Sequence, residues 1–184
     1  MIATTPQIEL LPRTLAEFLL WEPEDGYKYE WNDGELIKFT NMKKKHLRLI
    51  RLLSRLFLKT NAHVIGGELI AEQDVQLSGI QLRRPDLAFF SNEQIEVTDE
   101  DEEQIPEFVI EIISTFDQIQ KVELKITEYF KAGIKVVWNI IPEQQLVYVY
   151  TSRRNVKICI EDDICSASPI LPDFEIKVSE LLAL

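Results

Sequence analysis

The sequence is poor in residues that cross-link small proteins or bind structural metals. It contains only two cysteines and two histidines, the residues from which structural zinc sites are mainly built. Cys159 and Cys165 lie close together in the chain and make a poor disulfide framework, so we expect free thiols in a reducing compartment. Six glycines and eight prolines are too few for a disordered or repetitive chain.

Long apolar runs are also missing. No segment approaches the ~20 apolar residues that a helix needs to cross a bilayer. Residues 1–14 lack the positive start and the apolar stretch of a signal peptide. The sequence therefore predicts a cytoplasmic protein, with no membrane partner, that forms one domain over 1–184.

Positive charge is scarce and unevenly placed. The formal net charge of −11 weighs against a protein that coats nucleic acid without sequence preference, because phosphate repels an acidic protein. A dense acidic segment runs from Glu93 to Glu107, whereas a basic stretch runs from Lys43 to Lys59. Five cations of that stretch share one helical face, namely Lys44, Arg48, Arg51, Arg55 and Lys59. This face is either solvated or turned toward phosphate, and the sequence leaves both interpretations open.

Hydrophobic periodicity and turn residues predict the secondary structure. The predicted helices are 14–21 with Thr14 as N-cap, 43–60, 115–132 with Gly133 as C-terminal cap, and a short helix or extended cap at 178–184. The predicted strands include a hairpin over 27–39 around Asn32-Asp33-Gly34, strands at 63–70, 72–77, 82–90 and 107–113, and a second hairpin over 134–151. This order predicts an α/β fold in which one mixed sheet is flanked by helices.

Glu111 stands out because it interrupts an apolar strand. The segment Phe108-Val109-Ile110-Glu111-Ile112-Ile113 is apolar on both alternating faces, as in a central strand covered on both sides. An isolated buried carboxylate is costly. Glu111 therefore has a salt-bridge partner, lies at a strand end in contact with solvent, or has a metal-binding or catalytic role.

Asp86 occupies a similar place at the start of the preceding apolar strand, Leu87-Ala88-Phe89-Phe90. Alone, Pro85-Asp86 is a common turn dipeptide. Together, Asp86 and Glu111 supply the type and number of ligands that a hard cation such as Mg²⁺ uses in proteins.

The helix after Glu111 contributes the third part of the candidate site. Ser114 or Thr115 can cap it, and Lys121 and Lys125 lie four apart on one face. An ammonium near the metal would orient water or stabilise charge that develops on phosphate.

This ordered set of residues resembles the Uma family, which belongs to the PD-(D/E)xK nuclease superfamily. The resemblance covers roughly 14–151. It is carried by Tyr29-Glu30-Trp31-Asn32-Asp33-Gly34-Glu35-Leu36, His46, Arg84-Pro85-Asp86, Glu111, Lys125, Tyr129, Ala132-Gly133 and Trp138.

The resemblance implies a restriction-endonuclease-like mixed β-sheet flanked by helices, and a metal-dependent endonuclease that hydrolyses DNA phosphodiester bonds. It implies Asp86 and Glu111 as ligands of Mg²⁺ or Mn²⁺. It also implies Lys125 as the active-site lysine, moved from the strand to the helix. By analogy with nucleases that cut both strands, we expect a homodimer with DNA as its partner.

One position departs from the family pattern. The usual strand lysine would fall at position 113, which is Ile113. Either Lys125 substitutes for it, or the fold serves as a catalytically inactive binding or regulatory module. The sequence leaves open which further acid joins the site, among Glu30, Glu35 and Glu72.

Overall fold

The computed structural model of the protein describes residues 11–25, 27–39, 44–97, 103–114 and 117–183. The helices are α1 (Leu15–Leu19), α2 (Lys44–Phe57), α3 (Asn61–Val64), α4 (Asn92–Ile95), α5 (Ile119–Ala132) and α6 (Val178–Leu181). The strands are β1 (Lys28–Asn32), β2 (Glu35–Phe39), β3 (Glu68–Ala71), β4 (Val75–Ser78), β5 (Gln81–Arg83), β6 (Leu87–Phe90), β7 (Phe108–Ile112), β8 (Val136–Ile141), β9 (Leu146–Ser152), β10 (Asn155–Ile160), β11 (Ile164–Ala167) and β12 (Leu171–Lys177).

The central sheet has six strands in the order β10-β9-β8-β7-β6-β3. β7 and β8 pair in parallel, and α5 is the crossover between them, whereas their other neighbours in this sheet are antiparallel. A parallel pair requires a crossover connection of this kind. The predicted α/β fold, a mixed sheet flanked by helices, is confirmed.

The hairpin predicted over 27–39 is also confirmed, but it lies outside the central sheet. β1 and β2 pair around a turn at Asp33 and Gly34, where both residues have the positive φ that a tight hairpin turn requires. This hairpin joins a four-stranded sheet of order β2-β1-β5-β4. The strands that the sequence assigned to one sheet are therefore divided among the central sheet, this sheet and the β11–β12 pair.

The strand predicted over 63–70 begins later than expected, at Glu68. The side chain of Thr60 accepts a hydrogen bond from the His63 backbone N–H and caps the short helix α3. This cap stabilises a helical turn where the apolar residues alone indicated a strand.

The helix predicted from 115 likewise begins later, at Ile119. The Asp117 carboxylate accepts a hydrogen bond from the Ser114 backbone N–H and holds this segment in a turn. Thr115, the alternative cap, lies outside the described residues. Gly133 ends the helix as predicted, with φ of 108°.

The side chains of β7 alternate between two cores, and this alternation decides where Glu111 points. Phe108 and Ile110 pack in the core beneath α2, whereas Val109 packs in the core beneath α5. Glu111, two residues after Val109, therefore lies on the α5 face of the sheet.

Candidate active site

A cleft of about 890 Å³ is lined by residues of β1, β2, β7, β8 and α5 and by the segment that leads into β6. Its charged lining divides equally, with six carboxylates and six lysines or arginines. These are Glu30, Glu35, Glu72, Asp86, Glu111 and Asp117, and Lys28, Lys38, Arg83, Arg84, Lys121 and Lys125. The cleft thus brings together the three residues predicted for the site.

Asp86 and Glu111 lie opposite each other at the end of two neighbouring antiparallel strands. Leu87 pairs with Ile110 in the antiparallel register. Asp86 precedes Leu87 and Glu111 follows Ile110, so the two acids face each other. Asp86 Oδ2 accepts a hydrogen bond from the Ile112 backbone N–H at 2.6 Å, which holds its carboxylate beside β7.

Glu111 is buried, and Asp86 is half-buried. Burial raises the pKa of Asp86 to about 6, although the hydrogen bond from Ile112 opposes this effect. Burial likewise raises the pKa of Glu111 to about 7, against the opposing charge of Lys125. Carboxylates that are costly to ionise in isolation are those that a nearby cation stabilises most.

Lys125 reaches the acid pair from α5. Its Nζ lies 3.3 Å from Glu111 Oε1 and 2.8 Å from Glu30 Oε1, and its side chain is only 17% exposed. Burial alone would lower the pKa of Lys125, but the charges of Glu111 and Glu30 outweigh burial and raise it. The side chain therefore stays an ammonium. One turn later on the same face, the Tyr129 hydroxyl donates to Glu111 Oε1.

Position 113 lines the same cleft, but Ile113 offers no charge there. Its backbone N–H donates to the Ile140 carbonyl at 2.8 Å, which continues the pairing with β8. The ammonium in contact with Glu111 consequently comes from the helix rather than from the strand.

Glu30 is the further acid that contacts the site. It is 1% exposed, and its Oε1 accepts from Lys125 Nζ and from the Arg84 backbone N–H at 3.2 Å. Its Oε2 lies 3.1 Å from Arg83 Nη1. Glu30 therefore links the Lys125 ammonium to the buried guanidinium of Arg83.

The other two acids lie farther out. Glu72 pairs with Lys28, and its backbone N–H donates to the Asp86 carbonyl at 3.2 Å. Glu72 also has a φ of 54°, which is uncommon for a residue with a side chain. Glu35 is 59% exposed and pairs with Lys121, which is 51% exposed, so this pair belongs to the solvated rim.

Arg83 and Glu128 form a buried ion pair that the sequence did not predict. Arg83 Nε and Nη2 lie 2.8 and 2.7 Å from Glu128 Oε2, and both side chains are almost fully buried. Burial would lower the pKa of Arg83, but the charges of Glu30 and Glu128 raise it. The three-residue spacing of Lys125 and Glu128 on α5 places them on one face of the helix, but no local spacing relates Glu128 to Arg83.

The linked charges of the site do not balance. Four carboxylates and two cations leave a formal charge of −2 when all are ionised. They are Glu30, Asp86, Glu111 and Glu128, and Arg83 and Lys125. A divalent cation would match this deficit.

The donor set favours a cation that keeps much of its own water. Within the described ranges, no group of three or more His, Cys, Asp or Glu residues is arranged to hold a metal ion. Asp86 and Glu111 supply two carboxylates, a number that Mg²⁺ accepts when water or substrate fills its remaining positions.

Asn139 is a cleft residue that sequence reasoning missed. It lies beside Glu111 in the parallel register of β7 and β8, and it is 2% exposed. Its Oδ1 is buried and has no hydrogen-bond partner among the described residues. Buried acceptors are nearly always paired, so this oxygen is available to a donor that enters the cleft.

His46, part of the family pattern, lies at the edge of the cleft. Its Nε2 is 2.7 Å from the carbonyl oxygen of Ile112, the residue after Glu111. This contact joins the first turn of α2 to the end of β7.

The comparisons with known proteins identify the family and the fold of the chain. The family model of Uma2, described as "Putative restriction endonuclease", matches residues 15–179. The chain belongs to the Uma2 family. The predicted resemblance is thereby confirmed.

A solved structure resembles the Uma2 chain over nearly its whole length. The crystal structure of "a putative nuclease belonging to DUF820" from Anabaena variabilis ATCC 29413 aligns with a TM-score of 0.81. The two are 22% identical, and the alignment covers 94% of this chain and 98% of the other, which shows a shared fold. No curated protein sequence matches the chain.

The cleft of this Uma2 protein therefore holds two facing carboxylates, a fixed ammonium and an unpaired amide oxygen. Such a set can bind a hard cation, attract a phosphate group and accept a hydrogen bond from water.

Proposed function

We propose that this Uma2 protein is a metal-dependent endonuclease that hydrolyses DNA phosphodiester bonds, with Asp86 and Glu111 as ligands of Mg²⁺ or Mn²⁺. The observation that carries the proposal is the facing of half-buried Asp86 and buried Glu111, with Glu111 3.3 Å from the ammonium of Lys125. A bound divalent cation supplies Lewis-acid chemistry, because it neutralises phosphate charge and makes water more acidic.

Each residue of the site has a distinct role in this proposal. Lys125 stabilises negative charge that develops on the phosphate oxygens. Glu30 positions Lys125 through its 2.8 Å contact, and Tyr129 positions Glu111 through its hydroxyl. Asn139 Oδ1 accepts a hydrogen bond from a water that enters the cleft.

Cleavage of supercoiled plasmid in Mg²⁺ or Mn²⁺ tests the proposal. Wild type should nick or linearise the plasmid, and Asp86→Asn and Glu111→Gln should each lower the rate by at least about 100-fold, since each removes a proposed ligand. Glu35→Gln is the matched control, because it removes a carboxylate from the exposed rim of the same cleft. The control should cleave as wild type does.

A measurement of metal binding tests the proposed metal site independently of cleavage. Mg²⁺ or Mn²⁺ should raise the melting temperature of wild type, because a ligand of the folded state stabilises it, and should not do so for Asp86→Asn. If there is neither a thermal shift nor cleavage of plasmid, single-stranded DNA and RNA, the catalytically inactive binding or regulatory module is favoured instead.

Two further sequence predictions, the lack of a membrane partner and homodimerisation, accompany this proposal. In the part of the chain that the structure describes, no helix is both long and apolar enough to span a membrane. Homodimerisation, expected because two-fold symmetry matches duplex DNA, stays a prediction, and light scattering at micromolar concentration tests it.

A further inference from the structure

Helix α2 carries a row of positive charge on its outer side. We call Lys44, Arg48, Arg51 and Arg55 of α2, together with Lys59 two residues beyond its end, the basic stripe. All five are exposed, whereas Leu49, Leu53 and Phe57 on the inner side of the helix are buried in the core. The row predicted from helical spacing is therefore present on the surface.

The basic stripe differs from the cations of the cleft in its contacts with carboxylates. No residue of the stripe forms an ion pair with any of the described residues. In the cleft, by contrast, Lys28, Lys38, Arg84 and Lys121 are each paired with a carboxylate. The protein has a net charge of −11, and yet these five cations lie side by side without a carboxylate partner in the part of the chain that the structure describes.

The first turn of α2 reaches the edge of the cleft, where the His46 ring nitrogen lies 2.7 Å from the Ile112 carbonyl. Lys44 and Arg48 lie two residues before and after His46, so they point to the opposite, solvent-facing side of the helix. From Lys44 to Arg55 the helix rises ~17 Å, which corresponds to about five phosphates of one DNA strand. The stripe is thus long enough to follow several phosphates of a DNA backbone.

We propose that the basic stripe binds the phosphate backbone of duplex DNA. The inference rests on the proposed endonuclease function. The cleft lining is formally neutral, so it offers little net attraction to a polyanion. An acidic nuclease needs a separate positive surface to offset its repulsion of DNA, and unpaired arginines supply this contact without reading base sequence.

The salt dependence of DNA binding tests the proposal directly. The triple variant Arg48→Gln, Arg51→Gln, Arg55→Gln keeps good helix formers on α2 and removes three charges. Its matched control is Arg13→Gln, Lys131→Gln, Arg154→Gln, which removes three exposed charges that also form no ion pair with the described residues. Both are compared with wild type on a fluorescent 30-base-pair duplex in EDTA, where binding is measured without cleavage.

For wild type, the logarithm of affinity should fall steeply with the logarithm of salt concentration. The stripe variant should reduce that slope by about 2.7, since each lost phosphate contact removes about 0.9, and should bind at least roughly tenfold more weakly in 0.1 M salt. The control should keep the wild-type slope. Equal slopes for the two variants, or an absence of duplex binding by wild type, would overturn the proposal.

The same proteins in the plasmid assay separate this inference from the proposed function. If wild type cleaves and the two triple variants bind alike, the stripe proposal fails and the endonuclease remains. If the slopes change as expected but no metal supports cleavage, the stripe remains as a DNA-binding surface and the endonuclease proposal fails. Tighter binding of an RNA duplex than of the DNA duplex would overturn the choice of DNA.

Discussion

Lys125 Nζ lies 3.3 Å from Glu111 Oε1, although the lysine belongs to helix α5 and the glutamate to strand β7. The contact exists because α5 crosses back over the sheet face on which Glu111 points. An ammonium can therefore meet the buried acid without a lysine on the strand itself, where Ile113 stands.

Replacement of Lys125 by Met should abolish most cleavage. The variant removes the cation closest to the proposed ligands, so we expect at least a roughly 100-fold lower initial rate on plasmid. Lys121→Met is the control, because Lys121 lies one turn earlier and pairs only at the exposed rim. An equal loss in both variants would show that general positive charge, and not the position of Lys125, sustains the reaction.

Replacement of Arg83 by Met should strongly destabilise the fold. The change leaves the carboxylates of Glu30 and Glu128 buried without their shared partner, which costs about 3–5 kcal/mol. Arg84→Met removes the adjacent arginine from a largely solvated pair with Asp74 and should cost about 1 kcal/mol or less. Urea unfolding measures both, and similar losses would contradict the structural role given to Arg83.

The stability of the metal-free protein should fall as pH rises from about 4 to about 7. Asp86 and Glu111 have ordinary pKa values of 3.8 and 4.5, and burial raises these to about 6 and about 7 in the fold. The folded state therefore binds these protons more tightly than the unfolded state, and stability decreases while the two groups ionise. The decrease ends about one pH unit above the pKa of Glu111, where both groups are ionised in the folded and the unfolded state.

Urea midpoints in EDTA, measured for wild type and for the double variant Asp86→Asn, Glu111→Gln, test this pH dependence. The stability of wild type relative to the variant should decrease across the interval, because the variant lacks both titrations. A difference that stays constant with pH would contradict the raised pKa values.

Replacement of Asn139 by Leu should separate stability from activity. Leu has a similar volume and removes a buried acceptor that lacks a partner in the described structure, so we expect a gain of about 1–3 kcal/mol in the free energy of unfolding. Cleavage should decrease, because the oxygen proposed to hold water is lost. Asn155→Leu, at an exposed position of β10, is the control and should change both quantities little. Lower stability of Asn139→Leu would show that its oxygen has a partner in solution.

The sequence pattern predicted structure well wherever the structure depends on residues that are close together in the chain. The apolar residues on both faces of β7 predicted a strand covered on both sides. Because adjacent side chains of a strand point to opposite faces, Glu111 lies on the face opposite to the side chains of its sequence neighbours. The Asn32-Asp33-Gly34 turn predicted the first hairpin, and the three- and four-residue spacing of cations predicted one face of α2. The strand that was predicted from 63 failed because a side-chain cap at Thr60 outweighed a weak apolar pattern.

The tertiary structure alone decided which distant groups meet. Glu30 and Lys125 are 95 residues apart, and Arg83 and Glu128 are 45 apart, so no local spacing relates them. Their contacts arise because the four-stranded sheet and α5 pack on the same face of the central sheet. The sequence alone therefore determined the fold class and the pair Asp86 and Glu111 as candidates. Packing across long separations placed Glu30 in contact with Lys125, brought Lys125 to Glu111 and left the Asn139 Oδ1 atom without a partner among the described residues.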